Sequence, residues 1–293
     1  MAKKAIRSAL VIGGTGFVGA PFVEALTKSA LERVSVVHTN ALGTVAPSRT
    51  HYYHMDANDA YLADLIAVHD AVAILIPPDM KTMRSICAAI RAARPRHVLY
   101  TSTSLLYKGG ARPQKENAPL ESVTVYERAK RMEEKILMEA CKKSGSQLTI
   151  ARLGSVYGNV HNAGVVGRAF HAIFRNEEFS VRPGNRVRDY IHVDDVAQAL
   201  AYLLVNPPKK SVDIINVSSG VGVALDDVLA QIEKAAGAAL KKVVGAPSKE
   251  SESIIADSGY LARRMNFEAR ELKRGLRQTH AEFLAWYDDK NAV

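Results

Sequence analysis

The chain has 293 residues, enough for one large domain or two small ones, and its 39 lysines and arginines against 30 aspartates and glutamates leave a formal charge of +9. With 47% hydrophobic and 24% charged residues it can bury a core, which excludes disordered, collagen-like and coiled-coil chains. The longest apolar run, Ala71 to Pro78, stops between Asp70 and Asp79, short of the roughly 20 residues that cross a bilayer, so no membrane span is expected.

The basic opening, Met1 to Arg7, passes straight into an apolar stretch without a small-residue cleavage site, and no secretory signal is read. From there short β-branched runs alternate with longer stretches of helical period. In chain order these are a strand at Ala9 to Ile12, a helix at Phe17 to Ser29, strands at Val34 to Val37 and His51 to Met55, and a helix at Asn58 to Val68. A strand at Val72 to Ile76, a helix at Asp79 to Ala92, a strand at His97 to Tyr100, a helix at Tyr126 to Lys143 closed by Gly145, and a strand at Leu148 to Ala151 follow. Six strands in this rhythm predict an α/β fold, a doubly wound parallel Rossmann sheet with its ligand site at the strands' carboxyl ends.

After Arg152 the rhythm breaks. A glycine-rich stretch (Gly154, Gly158, Gly164, Gly167) and a turn at Pro183-Gly184-Asn185 come first, and Asp189 to Val193 then leads into a helix through Leu204. A last strand is expected at Asp213 to Val217, with helices near Leu225 to Ala236 and Arg270 to Tyr287. Cys87 and Cys141 lie in helical stretches without metal-ligand spacing, which predicts buried thiols in a cytoplasmic protein and no metal site. The basic residues are scattered in pairs such as Lys3-Lys4, Lys142-Lys143, Lys209-Lys210, Lys241-Lys242 and Arg263-Arg264, which reads as solvated faces and not as a nucleic-acid surface.

Between the first strand and first helix stands Gly13-Gly14-Thr15-Gly16-Phe17-Val18-Gly19. A pyrophosphate needs close backbone approach and a helix N-terminus, and glycines 13, 16 and 19 provide both. We therefore expect a dinucleotide-binding Rossmann domain over residues 1–153. A smaller, partly interleaved C-terminal substrate lobe is expected over 154–293, with 188–218 returning to the first domain. The cofactor contacts expected are Gly13, Thr15, Gly16, Phe17, Val18 and Gly19, then His38, Asp56 and Ile76 at the ends of later strands. The acid that usually holds the adenosine ribose is replaced by His38-Thr39-Asn40, which leaves room for a 2′-phosphate, with Arg49 in the following loop. NAD or NADP is left open on this basis, with a lean to NADP. Asp56 reads either as an acceptor for the adenine amino group or as a helix N-cap.

Tyr126 and Lys130 are four residues apart on one helical face, where an ammonium beside a phenol would lower the tyrosine pKa and make a general acid-base. The run Tyr100-Thr101-Ser102-Thr103-Ser104-Leu105-Leu106-Tyr107 places hydroxyls at the end of the fifth strand, where a donor can polarise a carbonyl.

Together with Arg152-Leu153-Gly154-Ser155-Val156-Tyr157-Gly158, Arg188-Asp189-Tyr190-Ile191-His192-Val193-Asp194-Asp195-Val196-Ala197 and Ile215-Asn216-Val217-Ser218-Ser219-Gly220, these motifs resemble the extended short-chain dehydrogenase/reductase family, in its NAD(P)-dependent nucleotide-sugar epimerase and dehydratase-like branch. The resemblance implies that Thr103 is the catalytic Ser/Thr, Tyr126 the acid-base and Lys130 the holder of the nicotinamide ribose. It also implies that Arg188 contacts a substrate diphosphate, that Ser155 stands where a substrate-contacting Asn is frequent, and that helices Asp79 to Ala92 and Tyr126 to Lys143 pack a homodimer.

The chain departs from the pattern in places. Ser104-Leu105 replaces the acidic pair of dehydratases, so dehydration is not expected, and Tyr107-Lys108-Gly109 replaces Tyr-Gly. A second diphosphate arginine before Ala256-Asp257-Ser258 is missing, with Lys249 the nearest basic residue. The function expected is an NAD(P)-dependent oxidoreductase or epimerase on a nucleotide-sugar. The alternatives are an NADP-dependent reductase of a smaller carbonyl compound, and a non-catalytic dinucleotide-binding protein contacting RNA or a protein partner, against which the intact Thr103, Tyr126 and Lys130 argue.

Overall fold

In the computed structural model, which describes residues 5–39, 50–182, 184, 186–246 and 253–291, the chain begins with β1 (Ser8–Ile12), α1 (Gly19–Thr27), β2 (Arg33–His38), β3 (Thr50–His54) and α2 (Leu62–Ala67). It continues through β4 (Ala71–Ile74), α3 (Met80–Ala93), β5 (His97–Thr103), a 3-10 turn (Ser104–Leu106), α4 (Val125–Ser144) and β6 (Gln147–Leu153). Then come β7 (Ser155–Tyr157), α5 (Val165–Arg175), β8 (Glu178–Val181), β9 (Val187–His192), α6 (Val193–Val205) and β10 (Val212–Val217). The last elements are β11 (Gly222–Ala224), α7 (Leu225–Ala236), β12 (Lys241–Val244), β13 (Ser253–Ile254), α8 (Gly259–Met265) and α9 (Leu272–Asn291). Arg49, Lys249 and the turn residues Pro183 and Asn185 lie outside the described residues, as do Lys3 and Lys4.

The central sheet has seven strands in the order β10-β6-β5-β4-β1-β2-β3, every pair parallel. The central strands β1, β4 and β5 are buried on both faces, as helices on both faces of a parallel sheet require. One core packs α1 and α6 on the sheet through Phe22, Leu26, Val196 and Leu200. The other packs α2, α3 and α4 through Leu65, Ile86, Ile90 and Leu137. Cys87, Leu137, Ala140 and Cys141 are all buried there, with Ile136 against them, and burial pushes the two thiols up to about 11 and about 12.

A third core gathers α5, α7 and α9 around Phe170, Ile232 and Phe283. Beside it, β9 pairs with β7, β11 and β13, and β8 pairs with β12. Of residues 188–218, β9 stays with this small sheet while α6 and β10 rejoin the large one.

Three boundaries shift from the sequence expectation in ways that matter for the site. Helix α1 starts at Gly19, because Gly16 to Val18 form the turn itself. Strand β4 ends at Ile74, freeing Leu75 to Pro78 as a loop. Strand β5 runs on to Thr103, whose hydroxyl caps the 3-10 turn by accepting the Leu105 N–H at 3.2 Å. Helix α4 begins at a capping box: the Thr124 hydroxyl accepts the Glu127 N–H, and the Glu127 carboxylate accepts the Thr124 N–H at 3.0 Å. This fixes Tyr126 in the first turn.

Candidate active site

Strand order reverses between β1 and β4, and a crevice opens over their carboxyl ends. Gly13 has φ +86°, a left-handed conformation, and a Cβ there would meet the Leu75 carbonyl oxygen at 2.5 Å. A Cβ on Gly19 would lie 2.1 Å from the Gly13 oxygen, so turn and helix pack without room for a methyl. Gly16 differs: a Cβ there would meet only the Gly13 oxygen, at 3.6 Å. It borders a cavity of about 430 Å³ together with Gly13, Thr15, His38, Asp56 and Ile76. Phe17, Val18 and Gly19 complete the turn behind it. No side chain caps α1 and no acidic residue stands in its first turn, so the positive end of the helix is presented to the crevice. These features fit the pyrophosphate of a dinucleotide.

His38 ends β2, nearly buried, with Tyr52 and His54 ring centroids at 5.9 and 5.4 Å. Asp56 borders the cavity but is no helix N-cap, since α2 begins six residues later. Its Oδ1 accepts both the N–H and the side-chain amide of Asn58, each at 2.7 Å, and these bonds hold its pKa below the usual carboxylate range.

Thr103 and Tyr126 meet at the carboxyl end of β5. Thr103 is buried, while Tyr126 remains 42% exposed at the rim. The surrounding protein pushes the phenol pKa up, the hydrogen bond with the Thr103 hydroxyl pulls it down, and the charge of Glu133 again raises it. The net direction is upward, against the sequence expectation that Lys130 would depress it. Burial decides the direction, and Lys130 does not offset it because its ammonium points elsewhere: Nζ donates to Ile76 O at 3.3 Å, Tyr100 Oη at 3.0 Å and Thr101 O at 3.2 Å. Burial lowers the Lys130 pKa and the Glu133 carboxylate raises it.

A second cavity, of about 340 Å³, reaches from Leu105 beside Thr103 to the small sheet. Ser155 at the start of β7 and Arg188 in β9 both border it, brought together by the β7–β9 pairing. So do Arg168 from α5, and Arg182 and Arg186 on either side of the β8–β9 turn. The sequence reading named Arg188 alone. Arg186 stands two residues before Arg188, the spacing of one strand face, a signal that could have found that one of the others.

Beneath the site, Glu134 accepts from Ser102 at 2.6 Å and from Arg152 at 3.0 and 2.7 Å. The Arg152 guanidinium lies 5.1 Å from the Tyr107 ring centroid, and Tyr107 donates to Asn216 Oδ1 at 2.6 Å. This buried chain joins β5, α4, β6 and β10. Among the described residues there is no cluster of three metal-ligating side chains, and no helix long and apolar enough to cross a membrane.

Comparison with known proteins gives a match between residues 9–218 and the model of a family described as the NAD dependent epimerase/dehydratase family. A UDP-glucose 4-epimerase of Lactobacillus helveticus is 25% identical over 294 residues, covering 85% of this chain and 88% of that protein. Among solved structures, a Thermus thermophilus UDP-glucose 4-epimerase in complex with NAD superposes with TM-score 0.84 at 22% identity, covering 94% of this chain and 99% of that one. A UDP-glucuronic acid 4-epimerase from Bacillus cereus, in complex with UDP-glucuronic acid and NAD, gives 0.84 at 18% identity, covering 96% and 100%. Likeness at this identity establishes the shared fold.

Proposed function

This chain belongs to the NAD dependent epimerase/dehydratase family, and from that premise we propose that it is an NAD-dependent epimerase acting on a nucleotide-sugar. The observation that carries the reading is the buried Thr103 hydroxyl close enough to the Tyr126 phenol to lower its pKa, with Lys130 one helical turn on, between a glycine-lined crevice and an arginine-lined cavity.

When bound, the dinucleotide supplies a hydride acceptor at its nicotinamide ring and later returns that hydride. Gly13 and Gly16 admit its pyrophosphate, His38 and Asp56 border its adenosine half, and Lys130 holds the nicotinamide ribose by giving up one of its three bonds to Ile76 O, Tyr100 Oη and Thr101 O. Tyr126 takes the proton of the sugar hydroxyl that is oxidised and gives it back on reduction, while Thr103 hydrogen-bonds the same oxygen as it gains carbonyl character. Arg188 offers a guanidinium fork to the diphosphate and Ser155 a hydroxyl beside it. Arg168, Arg182 and Arg186 stand where the missing second arginine would be compensated. A cavity bordered by four arginines favours a diphosphate-bearing substrate over a smaller carbonyl compound.

NAD is preferred over NADP, the reverse of the sequence lean. The relatives named above support NAD, and the described residues bordering the crevice include Asp56 and Asp79 but no lysine or arginine to meet a 2′-phosphate. A homodimer through α3 and α4 belongs to the same reading, supported by the exposure of Val125 and Met132 on α4. The function is tested by incubating the protein with NAD and each of UDP-glucose, UDP-galactose and UDP-glucuronic acid and following the sugar C4 configuration by NMR. Interconversion of at least one pair is expected. No turnover of any of them, with no dinucleotide binding, would sink the reading.

A further inference from the structure

Lys130 is surrounded by more than the reaction requires. An ammonium has three N–H bonds, and Ile76 O, Tyr100 Oη and Thr101 O take up all three. A fourth group, the Glu133 carboxylate, lies 3.5 Å from Nζ, one helical turn along α4. Glu133 has no exposed surface. Its Oε2 accepts the Tyr100 hydroxyl at 2.5 Å and its Oε1 accepts the Asp79 N–H at 3.0 Å. Tyr100 thus accepts from Lys130 and donates to Glu133, a chain in which each bond polarises the next. Burial and the neighbouring carboxylate push the Tyr100 pKa far up, so this phenol keeps its proton and the direction of the chain is set.

The electrostatics single out Glu133. A buried ammonium loses solvation and drifts toward its neutral form unless an opposite charge stands beside it. Glu134, the other carboxylate felt by Lys130, is already bound by Arg152 and Ser102. Glu133 therefore supplies the opposing charge. It also reaches the crevice wall: Asp79 caps α3 at the end of the loop that carries Ile76, and both border the dinucleotide cavity.

We propose that Glu133, acting directly and through Tyr100, is a positioning residue for the reaction: it holds Lys130 charged and in place at the crevice wall and locks the 76–79 loop to the helix that carries Tyr126. This rests on the roles proposed above for Tyr126 and Lys130, but concerns two side chains those roles do not use.

The test is NMR of the full chain labelled with ¹³Cε-lysine, the Lys130 signal being assigned by its loss in Lys130→Arg. An opposite charge within about 4–6 Å moves a pKa by about one pH unit or more, so Glu133→Gln should lower the pH at which the Lys130 signal titrates by about that much. Glu133→Asp should restore most of the shift, and Tyr100→Phe should move it the same way. The alkaline limb of the kcat–pH profile for the UDP-sugar should move down by about the same one unit in Glu133→Gln, with KM unchanged. A role confined to packing would lower Tm without moving the titration. An unchanged Lys130 titration in both Glu133→Gln and Tyr100→Phe overturns the proposal. Should Glu133→Gln fail to fold, Tyr100→Phe decides alone. The titration needs no coenzyme, so a protein that neither binds NAD nor turns over a UDP-sugar would defeat the proposed function while this measurement still reports on Glu133.

Discussion

Two glycines of the opening turn should respond to the same methyl in opposite ways. In Gly19→Ala the new Cβ would sit 2.1 Å from the Gly13 oxygen and 2.8 Å from Gly14 Cα, distances that force the turn off the helix. Overpacking of this kind costs about 1–3 kcal/mol. Alanine's better helix propensity offsets at most about 1 kcal/mol at a first-turn position. The clash wins, and at about 2–4 °C per kcal/mol the Tm should fall by several degrees. In Gly16→Ala the methyl meets only one atom, at 3.6 Å, so the free protein should keep its Tm or gain slightly through a less flexible unfolded chain. That methyl instead projects toward the space assigned to the pyrophosphate, where a clash of about 1–3 kcal/mol raises the Kd for NAD roughly five-fold to 150-fold. Calorimetric scanning without NAD and titration calorimetry with it separate the two. A Gly16→Ala protein that binds NAD as tightly as the parent, or a Gly19→Ala protein of unchanged Tm, would refute the reading of the turn.

Tyr126→Phe removes only the hydroxyl of a half-exposed side chain and should leave Tm and NAD affinity near their parent values while kcat falls by about 10²–10⁴, measured as sugar interconversion. Arg188→Met removes a charge-assisted contact worth about 1.5–3 kcal/mol, so the KM for a UDP-sugar should rise about ten-fold or more, with the Kd for NAD unmoved. Acid should destabilise the protein between about pH 6.5 and 4. His97 and His192 are lowered to about 4 by burial, so each takes up a proton on unfolding in that window and stability falls as pH drops. Burial raises Asp189 to about 7, which releases a proton on unfolding there and works the other way. Two histidines outweigh one aspartate, and Asp189→Asn should make the acid-side loss steeper in urea titrations across this range. An acid limb equally steep in the variant would argue against the buried carboxyl.

Long elements were legible because their periodicity is strong: the six strands of the first half were located to within a few residues, and α7 was placed at its observed bounds. The two small sheets were not, since β7, β8, β11, β12 and β13 have two to four residues each and no period can show in so few. Helix α5 was missed for another reason: Gly164 and Gly167 read as loop, yet Gly167 lies inside the helix and is glycine because a Cβ there would lie 2.0 Å from the Asn162 carbonyl oxygen. The arginines of the second cavity come from α5, β8 and β9 and meet only through folding.

What local sequence decides here is the chemistry available in one turn: glycines 13, 16 and 19 beside a strand and a helix start, and a tyrosine and a lysine four residues apart. Spacing along a helix and the sterics of a missing Cβ act within a few residues, so they can be read without a fold. Which way the Lys130 ammonium points belongs to the tertiary structure, because Tyr100 comes from a strand 30 residues away and the Ile76 carbonyl from the loop after β4. Glu133 looks in sequence like one more charge on a solvated helix. Only the packing of α4 against the sheet removes water from it, and burial turns a surface carboxylate into the counter-charge of the site.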